Sequence, residues 1–278
     1  MKLKVPAARR ALRTTCALLT GRGLVSGSRC PVCGGRSKIV GGPVLGQDLI
    51  AAWELSPEWV SWFDEREGRH CALCAANLRS QGLARALLMA AREMSGIEQH
   101  SLRSLCADPE FRSLSVAEIN GAGGLHQFLG KLPNLSYSEY GSTTRAVRSE
   151  DLLALSYADA SFDLVITSDS IEHVPHTRQA LREVRRILRP DGLHVFTVPV
   201  VWDRATTRQR ASLVNGKPVH HLRPSYHGKT RTGVGGDWLV FYEFGSDFVG
   251  ECADAGFAVR LLRDPGNQAL VTFLARAN

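Results

Sequence analysis

Acidic residues are missing from the first 47 positions of this 278-residue chain. That segment holds nine of the 34 lysine and arginine residues, so the rest has 25 basic residues against all 27 acidic ones. The formal net charge of +7 therefore belongs to the N-terminal segment and not to the larger remainder. A basic groove for nucleic acid in the main part of the chain loses its simplest support.

Long apolar runs are also missing. No run approaches 18 residues, so we expect no transmembrane helix. Met1–Thr20 lacks the continuous apolar core and small-residue cleavage site of a secretory signal. We therefore expect a cytoplasmic protein with a flexible or loosely docked basic arm. A transit peptide, or an arm that touches an anionic surface, stays open as an alternative.

Four of the seven cysteines form two C-x-x-C pairs, Cys30–Cys33 and Cys71–Cys74. Two such turns can present four thiolates to one tetrahedral metal site, so we predict structural zinc held by Cys30, Cys33, Cys71 and Cys74. Disulfides in an oxidising compartment, or a redox-active pair, are the alternatives. The gap between the pairs is longer than in a typical zinc ribbon and includes Trp53, Trp59, Trp62 and Phe63, which predicts an aromatic insertion.

Residues 162–199 read as a strand, a polar loop, an amphipathic helix, a turn and a second strand. Phe162–Ile166 is a short apolar run, typical of a parallel strand that is buried on both faces. Ala180, Leu181, Val184, Ile187 and Leu188 then recur at helical spacing, and Pro190-Asp191-Gly192 is expected to end the helix. Ligands of open α/β sheets bind beyond the carboxyl ends of strands, where Asp169, Glu172 and His173 fall.

This segment resembles class I S-adenosylmethionine-dependent methyltransferases of the type 11 branch, through their pattern of acidic-x-x-Glu-His-Val, helix, R-x-L-[KR]-P-x-G and strand. The resemblance extends from about Leu114 to the C-terminus. It implies an α/β fold with a Rossmann-like seven-stranded methyltransferase sheet and an antiparallel C-terminal hairpin, preceded by a small zinc-binding module. The expected organisation is a basic N-terminal arm (1-27), a zinc-binding module (28-76), linking helices (77-110) and a methyltransferase domain (111-278) with a substrate-lid insertion near 201-244.

Further elements follow from local patterns. Asn77–Met94 reads as a helix whose Arg79, Arg85 and Arg92 row is interpreted as facing solvent. Val116–Ile119 and Leu135–Glu139 read as the first two strands of the sheet, with a helix from Leu125 between them. Toward the C-terminus, Ser246–Ala255 reads as a helix and Phe257–Leu262 with Ala269–Leu274 as a closing hairpin.

The resemblance implies S-adenosylmethionine as cofactor. Where the family has acidic-x-Gly-x-Gly-x-Gly, this chain has Glu118 but Asn120 and Ala122 at the first two glycine positions, and only Gly124 matches. Gly121 and Gly123 can restore the loop with a different turn. The absence of a lysine or arginine in this loop favours S-adenosylmethionine over a dinucleotide. The candidate cofactor-binding residues are Glu118, Asn120, Gly121, Gly123, Glu139, Tyr140, Asp151, Leu152, Ser168 and Asp169.

Two roles are open for the polar cluster after Ser168. His173 is the candidate general base that removes the proton of a hydroxyl acceptor. Alternatively, Asp169, Glu172 and His173, with His227, hold Mg²⁺ or Mn²⁺, as similar sets do in ubiquinone-pathway and small-RNA 2′-O-methyltransferases. Residues 201–244 are irregular and are interpreted as the acceptor-binding segment.

Three functions remain possible on sequence alone. The favoured one is methyl transfer to a hydroxyl of a small molecule or glycan. The second is a nucleic-acid 2′-O-methyltransferase gripping its substrate with the basic arm and zinc module; nucleic acid is not the favoured partner, because the motifs of base-amine and cytosine methylation are absent. The third is a non-catalytic scaffold with a degenerate cofactor loop. Nothing in the sequence predicts an oligomeric state.

Overall fold

The computed structural model describes residues 29–228 and 238–278. The predicted basic arm (1–27) lies outside the described residues, and so do residues 229–237 of the predicted lid. Among the described helices, none has both the length and the hydropathy needed to cross a membrane.

The two cysteine pairs sit in matching tight turns. Gly34 and Ala75, which follow the second cysteine of each pair, have positive φ angles of 76° and 57°. Their amides donate to the carbonyls of Cys30 and Cys71, which closes each turn. The insertion between the pairs contains two short strands and two helices: β1 (Ile39–Val40), α1 (Gln47–Trp53), α2 (Pro57–Gly68) and β2 (His70–Cys71). β1 pairs antiparallel with β2 and holds the ends of the insertion together.

Helix α3 (Leu78–Ser95) connects the cysteine turns to the sheet. The Asn77 side chain caps its first turn by accepting from the Ser80 amide at 2.9 Å, and Gly96 ends it in the left-handed conformation. The prediction of a helix over this stretch is confirmed. Its alanine-rich buried face lets it lie close to the sheet. Two short helices follow, α4 (Leu102–Leu105) and α5 (Pro109–Ser113).

The central sheet begins with five parallel strands: β3 (Val116–Ile119), β4 (Leu135–Glu139), β5 (Arg148–Ser149), β6 (Phe162–Ser168) and β7 (Leu188–Thr197). All four residues of β3 are buried, as expected of a strand covered on both faces. A helix from Leu125 was predicted in the connection from β3 to β4. A 3₁₀ turn at Gly123–Leu125 leads into a single helical turn, α6 (His126–Leu129).

Helix α7 (Thr177–Ile187) joins β6 to β7 and buries the predicted apolar face. It ends before Pro190-Asp191-Gly192, because β7 already begins at Leu188. The Pro-Asp-Gly segment forms an irregularity within the strand, with Asp191 at a φ of 63°.

The segment after β7 forms small two-stranded units rather than extending the sheet. Their strands are β8 (Arg208–Gln209), β9 (Ala211–Val214), β10 (Lys217–His220), β11 (Tyr226–His227), β12 (Trp238–Leu239) and β13 (Tyr242–Glu243). Helix α8 (Phe248–Asp254) and the hairpin β14 (Phe257–Asp264) and β15 (Asn267–Ala277) complete the chain.

The sheet has seven strands in the order β14-β15-β7-β6-β3-β4-β5, and β15 is antiparallel to β7. The predicted fold class, including the antiparallel C-terminal hairpin, is confirmed. Its direction of winding reverses between β3 and β6, so a crevice opens at their carboxyl ends. One buried cluster covers the face that carries α3 and the cysteine turns, and a second covers the face that carries α7 and α8.

Candidate functional site

A cavity of about 770 Å³ lies at the carboxyl ends of the parallel strands. One side of it, the strand-end wall, is formed by residues that follow or end the strands: Asn120, Gly121, Glu139, Asp151, Leu152 and Ser168. The facing side, the module wall, comes from the insertion between the cysteine pairs: Val44, Leu45, Leu49, Trp53, Leu55 and Phe63. This volume falls within the roughly 300–1,000 Å³ of typical ligand sites.

The loop after β3 is shaped by an asparagine where the family has a glycine. Asn120 has a φ of 59°, a conformation that asparagine tolerates better than most residues. Its Oδ1 accepts from the Tyr140 amide at 2.8 Å, which ties the end of β3 to the end of β4. Gly121 and Gly123 also have positive φ angles and line the cavity. The departure from the glycine pattern thus keeps a turn open to the cavity.

Glu118 lies beneath this loop and does not line the cavity. Its fully buried carboxylate accepts from the Ala122 amide at 2.7 Å and contacts His126 Nδ1 at 2.7 Å. These are the contacts of a residue that orders the loop.

The loop also contacts the cysteine turns. A Cβ on Gly124 would lie 2.9 Å from the Cα of Ala76, two residues after Cys74. The Gln127 side chain donates to the Cys74 carbonyl at 3.2 Å, which makes a second contact between the two segments. Gly124 is therefore required by its approach to the cysteine module.

The end of β4 supplies a buried carboxylate to the strand-end wall. Glu139 is almost fully buried, and its Oε1 accepts from the Tyr137 hydroxyl. Tyr140, half exposed, contacts Trp238 edge-to-face with ring centroids 5.6 Å apart. Asp151 turns its carboxylate onto the Leu153 amide at 2.8 Å, and this places Leu152 in the wall.

The end of β6 carries a paired ion cluster. Asp169, at a φ of 47°, accepts two hydrogen bonds of 2.7 Å from Arg66 of α2. Arg79 of α3 lies 3.4 Å from the same carboxylate, contacts Glu67 at 2.9 Å and donates to Ser168. Burial would raise the pKa of Asp169, but the two guanidinium groups outweigh it and hold that pKa below its usual range.

The position of Arg79 corrects the interpretation of the arginine row on α3. Arg79 does not face solvent, because it reaches back from the first turn of the helix into the cavity and pairs there. The sequence offered one signal for this role of Arg79, which follows Cys74 by five residues and lies in the first turn of the helix, beside the N-cap. Arg66 and Glu67 were not predicted either, since no local pattern separates them from the charged surface of an ordinary helix.

Glu172, His173 and His227, the His–Glu cluster, meet at the back of the cavity. One ligand atom from each lies within 4.8 Å of the others. Glu172 is fully buried, and among the described residues neither of its side-chain oxygens has a hydrogen-bond partner. The nearest approaches are His173 Nε2 at 3.8 Å and His227 Nε2 at 3.9 Å. Asp169 is not part of this group, because Arg66 binds both of its carboxylate oxygens.

The tautomer of His173 follows from its surroundings. Its Nδ1 lies 3.0 Å from the Leu239 carbonyl, which can only accept, so Nδ1 carries the proton and Nε2 keeps its lone pair. Burial lowers the pKa of His173 and favours this neutral form.

The insertion between the cysteine pairs is bonded to the predicted lid, residues 201–244, of which 201–228 and 238–244 are described. Trp53 Nε1 donates to Ser225 at 2.9 Å, and Trp59 Nε1 donates to Asp203 at 2.6 Å. Arg210, almost fully buried, donates to the Ala52 carbonyl at 2.9 Å. The cysteine insertion and the predicted lid therefore enclose the cavity together, from opposite ends of the chain.

The four paired cysteines converge beside this cavity. Their Sγ atoms lie within 4.8 Å of one another, with Cys30–Cys74 at 3.8 Å and Cys33–Cys71 at 3.9 Å. All four are free thiols, so the disulfide alternative does not hold in this structure. Zinc–sulfur bonds of about 2.3 Å imply tetrahedral edges of about 3.8 Å, so the arrangement is compatible with a four-cysteine zinc site.

The central part of the chain is similar to known methyltransferases. Residues 130–196 match a family model described as a methyltransferase domain. A glycine/sarcosine/dimethylglycine N-methyltransferase from Actinopolyspora halophila is 27% identical over 146 residues, which cover 46% of this chain and 26% of that relative. The chain thus spans about a quarter of the length of this curated relative. Both matches are to methyltransferases, in agreement with the resemblance that the sequence suggested.

Solved structures of similar fold include methyltransferases for small molecules. A sugar N-methyltransferase from Streptoalloteichus is 18% identical, with a TM-score of 0.41, and the match covers 70% of this chain and 92% of that one. An amino pentose methyltransferase from Micromonospora echinaspora is 16% identical, with a TM-score of 0.40 and coverage of 69% and 97%.

Proposed function

We propose that this chain transfers a methyl group from S-adenosylmethionine to a hydroxyl of a small molecule, with His173 as the general base. The observation that carries the proposal is that His173 and nine of the ten candidate cofactor-binding residues, all but Glu118, line one cavity. A glycan acceptor is the broader alternative that the sequence left open.

The strand-end wall fits the cofactor. The buried carboxylate of Glu139 is suited to accept the two ribose hydroxyls, and Tyr140 and Leu152 offer surfaces for the adenine. Asp151 is the acceptor for the exocyclic amine. Gly121 and Gly123 leave backbone exposed to the methionyl part, beside Asn120 and Ser168. Glu118 contributes by holding the loop in place, and Asp169 by anchoring Arg66 and Arg79.

The chemistry needs alignment more than activation. When bound, S-adenosylmethionine supplies an activated methyl group, and an oxygen–carbon bond forms as the carbon–sulfur bond breaks with its electron pair left on sulfur. His173 takes the hydroxyl proton on Nε2, while the Leu239 carbonyl holds the ring in the required tautomer. The module wall and lid keep water away from the reacting atoms.

A divalent cation is the second candidate for the same place, and the orphaned carboxylate of Glu172 favours it. A buried carboxylate without a hydrogen-bond partner is costly, and a cation between Glu172, His173 and His227 would remove that cost. Such a cation would lower the pKa of a bound hydroxyl. Full activity after exhaustive chelation, with zinc still retained by the protein, would exclude this candidate and leave His173 as the base.

We also propose that Cys30, Cys33, Cys71 and Cys74 hold a structural zinc ion, because four buried or half-buried sulfurs leave no room for a substrate ligand. Four reduced thiolates suit the reducing cytoplasm, which is the compartment we propose for the protein.

The experiment is a calorimetric titration of zinc-loaded protein with S-adenosylmethionine. We expect micromolar binding that weakens at least tenfold in Glu139→Gln, which keeps the shape of the side chain but removes its charge. The matched control is Glu98→Gln, which makes the same change at an exposed carboxylate that does not line the cavity. This variant should bind S-adenosylmethionine as the wild type does. A wild type that is folded and zinc-loaded yet does not bind would overturn the proposal in favour of a scaffold.

A further inference from the structure

The acceptor end of the cavity is apolar on nearly every side. The module wall contributes six apolar or aromatic side chains, and the lid adds Leu213, Leu239 and Phe241. Trp53 and Phe63 meet edge-to-face with centroids 6.3 Å apart, and Trp53 lies 6.2 Å from the His227 ring. The apolar surface therefore continues up to the His–Glu cluster.

Four of the charged side chains that line the cavity, Arg66, Glu67, Arg79 and Asp169, are paired with one another, and Glu139 and Asp151 belong to the strand-end wall. Arg66 and Arg79 bind Asp169 and Glu67 through several hydrogen bonds. A ligand that used these groups would have to break buried ion pairs, so they are poor partners for acceptor hydroxyls. Among the described residues, His173 and His227 line the cavity next to Glu172, whose carboxylate oxygens lack a hydrogen-bond partner.

A glycan does not suit this distribution. A sugar carries a hydroxyl on almost every ring carbon, and each one buried without a partner costs free energy. The module wall consists of apolar and aromatic side chains, so the hydroxyls of a sugar packed against it would face leucine, valine and aromatic groups. An apolar ring with its hydroxyl at one end would instead gain from burial along the whole wall.

We infer that the acceptor is a phenol: a planar, largely apolar molecule whose single hydroxyl, or pair of adjacent hydroxyls, reaches the His–Glu cluster. This rests on the proposed methyl transfer and names its substrate class. The phenolic oxygen gains a bond to the methyl carbon, the carbon–sulfur bond electrons go to sulfur, and the phenolic proton goes to His173 Nε2. A phenol gives up its proton far more readily than a sugar hydroxyl, with a pKa of about 10 in tyrosine, so one imidazole is sufficient.

The test uses the zinc-loaded full chain with 2-naphthol and methyl β-glucoside as probes, each titrated in the presence of S-adenosylhomocysteine. We expect 2-naphthol to bind at least tenfold more tightly than the glucoside. Methyl transfer from S-adenosylmethionine to 2-naphthol, followed by mass spectrometry, should yield the methyl ether. Tighter binding or faster methylation of the glucoside would overturn the inference while leaving the proposed function intact.

A pair of neighbouring variants locates the site. Leu49 lines the cavity, whereas Ile50, next to it on α1 and equally half-buried, does not. Leu49→Gln should weaken 2-naphthol binding at least fivefold without changing affinity for S-adenosylhomocysteine, and Ile50→Gln should change neither. Equal effects of the two variants on 2-naphthol would contradict the assignment of the module wall. A folded wild type that does not bind S-adenosylhomocysteine would instead refute the methyl-transfer proposal itself.

Discussion

The strand-end wall and the module wall face each other across one cavity, but their residues are specified differently by the sequence. The strand-end wall follows buried strands, and its side chains fall at positions fixed by strand order and length. The module wall depends on contacts between distant segments, such as Trp53 with Ser225 and Arg66 with Asp169. The sheet thus provides the proposed cofactor half of the cavity, and the insertion between the cysteine pairs provides the proposed acceptor half.

This comparison predicts that the two halves can be disturbed separately, except where the cysteine module contacts the cofactor loop. The links include the contact of Gly124 with Ala76, the hydrogen bond from Gln127 to the Cys74 carbonyl, and the bonds from Arg66 and Arg79 to the end of β6. The variants below test these links, from the largest expected effect to the smallest.

Removal of zinc should have the largest effect, because the cysteine turns belong to the same buried cluster as α3 and the sheet. Exhaustive chelation, or Cys30→Ser with Cys71→Ser, should lower the melting temperature and weaken S-adenosylmethionine binding at least a hundredfold. Differential scanning fluorimetry and calorimetry measure the two quantities, and readdition of zinc to chelated protein is the control. Unchanged cofactor affinity without metal would show that the two halves are independent.

Arg66→Ala should destabilise the protein by about 3 kcal/mol, since it leaves the buried Asp169 carboxylate with only the longer contact to Arg79. Arg69→Ala is the control, at the end of the same helix. It removes an exposed ion pair with Glu65 and should lower the free energy of unfolding by about 0.5 kcal/mol or less. Urea unfolding of both variants gives the comparison. Similar free energies of unfolding would mean that the buried pair contributes no more than a surface one.

Gly124→Ala places a Cβ 2.9 Å from the Cα of Ala76 and should cost about 1–3 kcal/mol through overpacking. The displaced loop should also weaken S-adenosylmethionine binding several-fold. Gly46→Ala is the matched control, because its Cβ would meet nothing within 4 Å. A Gly124→Ala protein with wild-type affinity for the cofactor would separate the glycine loop from the site.

Asn120→Ala should have the smallest effect on stability, about 1 kcal/mol, from the lost bond to the Tyr140 amide and the strained backbone. Because the bond joins two cofactor segments, affinity for S-adenosylmethionine should fall about fivefold. Asn215→Ala, at a φ of 51° in the turn between β9 and β10, imposes comparable strain away from the strand-end wall of the cavity. Calorimetry should show unchanged cofactor binding there, and a matching loss of affinity would point to a general effect of instability.

The sequence predicted the sheet well where burial is local and periodic. The strands Val116–Ile119 and Leu135–Glu139 match their predicted bounds, and the closing hairpin is longer than its apolar core because its polar ends also pair. The helix predicted from Leu125 is a single helical turn, His126–Leu129, and a 3₁₀ turn at Gly123–Leu125 precedes it.

The acceptor half could not be predicted in the same way. The sequence predicted an aromatic insertion, but it did not predict that Trp53 and Phe63 line the cavity and pack in one cluster with residues of the lid. The ion cluster joins residues about a hundred positions apart, and sequence spacing contains no trace of such a pairing. The predicted metal-site residues Glu172, His173 and His227 do lie together, but the pairing of β11 with β12 that positions His227 was not predicted, and Asp169 is bound by Arg66 instead.

A crystal structure of the zinc-loaded protein grown with S-adenosylhomocysteine would test the two-wall account most directly. The account predicts ribose hydroxyls on Glu139, adenine beside Leu152, and a sulfur atom that faces the space between His173 and the module wall. Density for the nucleoside against Trp53 and Phe63, with Glu139 left without a ligand contact, would contradict it.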